Sequence, residues 1–217
     1  PILPFADLYW NNSQSKNPVR NPAPFEDRIN QSGGGTNLTF ERNIFDVVRD
    51  YKSNFIEAKE TGNSNLIKIV TYKNDKRIAL NETVRKLLFT DPAEFELGEI
   101  IIFNNNYENG GKTIENAEEF AVIDITPNEF NVGGQTFKGY NIVSPRDNGD
   151  LLEYPVLQKS EKQRFGKMVE TLFAEAKMMK GKPGYNQLLS SAWGAKNYFA
   201  DIDYAYAITS HKAQGST

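Results

Sequence analysis

Between Glu41 and Leu88 the spacing of apolar side chains changes twice, and this change constrains the fold more than any other feature of the chain. Ile44, Val47, Val48, Tyr51 and Phe55 recur at helical intervals, which predicts a helix with one buried face from Glu41 to about Lys59. After a break at Gly62-Asn-Ser-Asn65, Leu66-Ile-Lys-Ile-Val-Thr-Tyr72 is rich in β-branched residues and too short for a helix, so it predicts a strand. Asn74 or Asp75 then caps a second helix whose buried side is Leu80, Val84, Leu87 and Leu88. Helix, strand, helix with short links is an α/β unit around a parallel sheet. The late run Tyr204–Thr209 supplies a further strand for it.

The pattern shifts after Asp91-Pro92. Leu97 to Phe103, Phe120 to Ile125, Glu129 to Val132 and Thr136 to Val143 read as short strands. Asn109-Gly-Gly111 and Gly133-Gly134 supply the positive-φ residues of tight hairpins. Strands this short and close predict a small β-barrel or hairpin cluster inserted into the α/β domain. Ser160 and Gln163 form a capping box for a helix with face Phe165, Met168, Val169, Leu172, Ala176 and Met179, stopped by Gly181 and Pro183. A further helix, Tyr185 to Phe199, turns Leu188, Leu189, Ala192 and Trp193 inward. Residues 1–39, rich in Pro, Asn, Ser and Gly, read as loop or linker.

Composition narrows the chemistry. Among 217 residues there are no cysteines and one histidine, which excludes thiol catalysis, disulfides and any zinc site of Cys or several His. With 25 Lys and Arg against 28 Asp and Glu, the net charge is −3, so any nucleic-acid contact must be a local basic strip. No apolar run reaches the roughly 20 residues of a membrane-spanning helix, and the expectation is a protein of the cytoplasm.

Two stretches carry phosphate-compatible residues. Tyr72-Lys-Asn-Asp-Lys-Arg-Ile-Ala-Leu-Asn-Glu-Thr-Val-Arg85 joins a strand to a helix N-terminus, whose free N–H groups and positive dipole end attract anions. Asn81 and Arg85 lie one turn apart on it. Read on its own, this segment is a capped helix with a solvated polar face. In Ala207-Ile-Thr-Ser-His-Lys-Ala-Gln-Gly215, the hydroxyls of Thr209 and Ser210, with His211 and Lys212, can bond phosphate oxygens, and Gly215 permits close backbone approach. Together these stretches resemble superfamily 1 DNA helicases of the RecD/Dda kind. There the late run reads Ala-(Leu/Ile)-Thr-x-His-Lys-(Ser/Ala)-Gln-Gly, and the earlier one Tyr-Thr-Asn-Lys…Leu-Asn…Arg, with Lys73 here at the usual Thr. Gly98-Glu-Ile-Ile-Ile-Phe103 looks like the start of the SH3-like barrel inserted in the second RecA-like domain of that family. Phe103, Tyr107, Phe130, Phe137 and Tyr140 either stack on bases, as in other strand-binding barrels, or fill the core.

The resemblance covers most of residues 66–217 and implies a fold, a site and partners. The fold is α/β: a RecA-like parallel sheet with an inserted SH3-like barrel and helices. Residues 1–92 are the first part of the second motor domain, 93–158 the barrel, 159–200 a helical return and 201–217 the last strand and motif. The implied nucleic-acid and nucleotide contacts are Tyr72, Asn74, Asn81, Arg85, Thr209, Ser210, His211, Lys212, Gln214 and Gly215. Arg20 stands near the family's γ-phosphate arginine, without its Leu-Thr-Glu flank. Ser216 replaces the acidic ribose contact. No Gly-x-x-x-x-Gly-Lys-(Ser/Thr) loop and no Asp-Glu magnesium pair appear in helicase-like context. The chain thus reads as a piece of a larger helicase that moves 5′ to 3′ on single-stranded DNA in replication, repair or recombination. ATP and Mg²⁺ would be used by the whole enzyme with its other RecA-like domain, and not held tightly by this part. The rival is a non-catalytic single-strand-binding or partner-docking module of the same architecture.

Overall fold

The computed structural model describes residues 44–109, 111–146 and 148–215. The chain divides into two units at Val47/Val48, and all but the start of the first helix described below belongs to the second. The 1–39 stretch and Arg20 lie outside the described residues.

The expected first helix is two, α1 (Ile44–Asp50) and α2 (Lys52–Thr61), separated at Tyr51. Tyr51 has left helical geometry, with φ −92° and ψ 17°, and is exposed, while Phe55 and Ala58 of α2 are buried. Strand β1 spans only Ile69–Thr71, and α3 runs from Asn74 to Leu88. β1 pairs in parallel with β10 (Ala207–Thr209), Ile69 opposite Ala207 and Thr71 opposite Thr209. The residues that α3 buries are Leu80, Asn81, Val84 and Arg85, so two of its four inward side chains are polar.

The strand-rich stretch forms three further sheets. β2 (Ile100–Phe103) lies between β5 (Glu119–Ala121) and β9 (Ile202–Tyr204), antiparallel to both. A central strand buried at all four positions explains its unbroken apolar run. β3 (Tyr107–Asn109) and β4 (Lys112–Ile114) form a hairpin, and β6 (Asp124–Val132), β7 (Gln135–Pro145) and β8 (Leu151–Leu157) form a meander. The β6–β7 turn is Gly133-Gly134, both at positive φ (59° and 74°), as a two-residue hairpin of this type requires. A β-carbon on Gly133 would also stand 2.7 Å from the Met168 sulfur, so a larger residue there requires Met168 to shift.

Among the described residues these sheets do not close into a barrel. They meet instead across one core of Ile101, Phe103, Val122, Ile142, Leu152, Tyr154 and Ile202, drawn from both three-stranded sheets. A second core sets Phe130, Val132, Phe137 and Leu157 against Met168 of α4 (Lys162–Met178), Ala195 of α5 (Tyr185–Lys196) and Phe199. The Ser160/Gln163 capping box does not form. A 3₁₀ turn, Lys159–Glu161, leads into α4 with no side-chain cap. Trp193 faces outward at 47 % exposure, packed edge-on against Phe173 and beneath the Lys196 ammonium. The molecule is therefore mixed α/β, and no helix among the described residues is long and apolar enough to cross a membrane.

Candidate nucleic-acid interface

Parallel strands end on the same side of their sheet, and ligands of α/β proteins bind outside those carboxyl ends. Here β1 leads through Tyr72 and Lys73 into α3, and β10 leads directly into α6 (Ser210–Gly215). Two stretches far apart in the chain thus emerge side by side, because their strands pair in register. Tyr72, 77 % exposed, stands beside His211, with ring centroids 6.3 Å apart and planes inclined at 48°. Asn74, in the first turn of α3, is exposed, and so are His211 and the flanking Lys73 and Lys76. Thr209 and Ser210 are half-buried at the strand end. Gln214 and Gly215 belong to α6, and the Gln214 side chain lies outside the described residues.

A solvated rim of an aromatic ring, an imidazole, an amide and the positive end of a helix of 15 residues offers a stacking face and phosphate donors together. Arg77 is less available, since its guanidinium holds Asp203 at 2.6 Å and its Nε donates to Asn74 Oδ1 at 3.4 Å.

Asn81 and Arg85 are elsewhere, and the expectation that they contact ligand is corrected. Asn81 is 1 % exposed. Its Nδ2 donates to the carbonyls of Tyr204 and Ala207, both at 3.0 Å, and its Oδ1 accepts the Ala207 N–H at 2.7 Å. It satisfies the backbone where the chain leaves β9 for β10. Arg85, 3 % exposed, pairs with fully buried Glu99, donates to the Ala93 carbonyl at 2.6 Å and lies over the Tyr204 ring at 4.0 Å. Burial pushes the Glu99 carboxyl up to about 7, while Arg85 and the Glu96 N–H draw it down. The cause of both placements is tertiary: β9 and β10 press against α3 where a solvated face was expected. Of the proposed stacking aromatics, Phe103, Tyr107, Phe130 and Phe137 are core, and only Tyr140 is half-buried.

Lys212 is half-buried. Its Nζ donates to Asn104 Oδ1 at 2.6 Å and lies 3.4 Å from the Phe103 carbonyl at the end of β2. Burial first, then Arg77, lowers its pKa, while Asp203, Asp201 and Glu119 oppose the shift. Sequence reading missed Asn104 and Glu99. Each is defined by a partner that folding brings to it, and only the odd carboxylate before an apolar strand hinted at Glu99.

A nucleotide's phosphates need a cradle and its magnesium needs carboxylates. The α3 end of the rim carries one exposed carboxylate, Asp75, and among the described residues no cluster of three His, Asp or Glu is set to hold a metal ion. No family model and no curated protein matches the chain.

Proposed function

We propose that the chain is part of an ATP-dependent DNA helicase of the RecD/Dda kind. In this reading β1, α3 and β10 are a corner of its second RecA-like lobe, and β2 to β8, within residues 93–158, are the inserted domain that the family builds as an SH3-like barrel and that is not closed among the described residues here. The observation that carries this reading is the parallel pairing of β1 with β10. It sets the two motif-like stretches at adjacent strand ends, where a shared contact with one strand of DNA needs them. The Tyr72 ring offers a base its face, while His211, the Ser210 hydroxyl and the α3 N-terminus offer donors to phosphate. Closure on a partner lobe would complete the nucleotide site and couple ATP state to this grip.

The test is fluorescence anisotropy with labelled oligo-dT, run beside an ATPase assay on the same chain. The chain binds oligo-dT with an affinity that falls as salt rises, and Tyr72→Ala or His211→Ala weakens binding about tenfold. It hydrolyses no ATP alone, with or without DNA. A folded chain that ignores oligo-dT, or turnover abolished by Lys212→Ala, overturns the proposal.

A further inference from the structure

We infer that Lys212 is a positioning residue, which clips the start of α6 to the end of β2 and so holds His211 at the rim, and that it does not itself grip the ligand. The inference rests on the single-strand reading of the rim for its ligand, but not for its geometry. The Lys212 ammonium has three N–H donors. One makes a 2.6 Å bond to Asn104 Oδ1, and the Phe103 carbonyl lies 3.4 Å away. Asn104 is fixed in turn: its N–H donates to the Asp201 carbonyl at 2.8 Å and its Nδ2 to Asp201 Oδ1 at 3.2 Å. Asn105 holds the other Asp201 oxygen at 3.2 Å. Lys212, Asn104 and Asp201 form a chain of contacts from α6, which follows the parallel pair, to the β2–β9 edge of the neighbouring sheet.

The adjacent residue behaves oppositely. His211 is exposed beside Tyr72, whereas Lys212 is half-buried beneath, facing Asp201, Asp203 and Glu119 as well as Arg77. To reach a phosphate at the rim, Lys212 would abandon a short, partly desolvated bond to Asn104 and move away from Asp201, whereas Asp203 and Glu119 have Arg77 and Lys68 as ion-pair partners. Its cation answers the charge of this corner, and the residue beside it is thereby aimed outward.

Phosphate contact and positioning differ in salt dependence. Losing a cation that touches single-stranded nucleic acid lowers the slope of log affinity against log salt by about 0.7. Losing a positioning residue lowers affinity at every salt concentration and leaves the slope intact. Lys212→Met and Asn104→Ala, alone and together, are compared for oligo-dT binding across a salt series. Each single variant weakens binding about tenfold, the double variant weakens it no further, and all slopes equal that of the unaltered chain. A slope reduced by about 0.7 in Lys212→Met, with Asn104→Ala binding normally, makes Lys212 a phosphate contact and overturns the inference.

Urea unfolding of the same variants tests the clip without DNA. The midpoint of the double variant should fall no lower than that of the worse single variant, whereas additive losses break the clip. Lys212→Gln serves where Lys212→Met does not fold. If the unaltered chain ignores DNA, the helicase reading fails, and the unfolding cycle still decides the clip.

Discussion

Asn81 and Arg85 lie one turn apart on α3 and are buried, whereas Tyr72 and Asn74, at the entrance to the same helix, stand in solvent beside His211. All four come from one short motif. The inner pair commits its hydrogen bonds to backbone and to Glu99, whereas Asn74 Oδ1 accepts from Arg77 Nε at 3.4 Å and Tyr72 and His211 stand in solvent. A polar residue inside a motif can thus belong to the scaffold that aims its neighbours, and burial tells the two kinds apart.

This contrast can be broken most forcefully at Arg85. Arg85→Ala strands the Glu99 carboxylate in the core and should cost about 3–5 kcal/mol in urea unfolding. A loss near zero would mean that Glu99 finds another partner or water. Next comes Asn81→Leu, which leaves the Tyr204 and Ala207 carbonyls and the Ala207 N–H without partners. A loss of about 2–3 kcal/mol is expected by the same measurement.

A subtler effect is pH dependence. Burial raises the Glu99 carboxyl to about 7 despite Arg85. The folded protein therefore holds that proton more tightly than the unfolded chain does. Stability should decline as pH rises from the usual glutamate range to about 7, then level off. Unfolding at several pH values would reveal this, and Glu99→Gln should erase that part of the slope. The smallest effects on stability belong to the rim: Tyr72→Ala and His211→Ala should shift it by no more than about 0.5 kcal/mol while weakening oligo-dT binding. A large stability loss there would place the rim with the scaffold.

Local pattern foretold α3 and the Gly133-Gly134 hairpin, because each follows from period or turn chemistry, whereas the late run Tyr204–Thr209, expected as one strand, divides into β9, antiparallel to β2, and β10, parallel to β1. It missed β8, whose Pro155 argues against a strand. The proline is tolerated because β8 is the edge of its sheet, where the missing N–H breaks no ladder. The β3 and β4 strands are too short to carry a period, although their Asn109-Gly-Gly111 turn was visible. Within the site, Tyr72, Asn74 and His211 could be named from the chain, but their meeting at one rim could not, because Tyr72 and His211 become neighbours only through the β1–β10 pairing. The inner residues could not, because Asn104 lies 108 positions from the Lys212 it holds, and only folding makes them neighbours.

The pairing of Ile69 with Ala207 also has a consequence for the order of assembly. β1 finds its hydrogen-bonding partner only across the entire strand-rich stretch, so closing that loop costs chain entropy that local hairpins avoid. The intervening sheets shorten the effective loop once formed, and β9, already laid against β2, delivers β10 to the waiting strand. The rim is thus expected to be completed late in folding. A chain caught before that step would carry its local hairpins and helices and still lack the Tyr72–His211 edge, so the two stretches meet only with the last pairing.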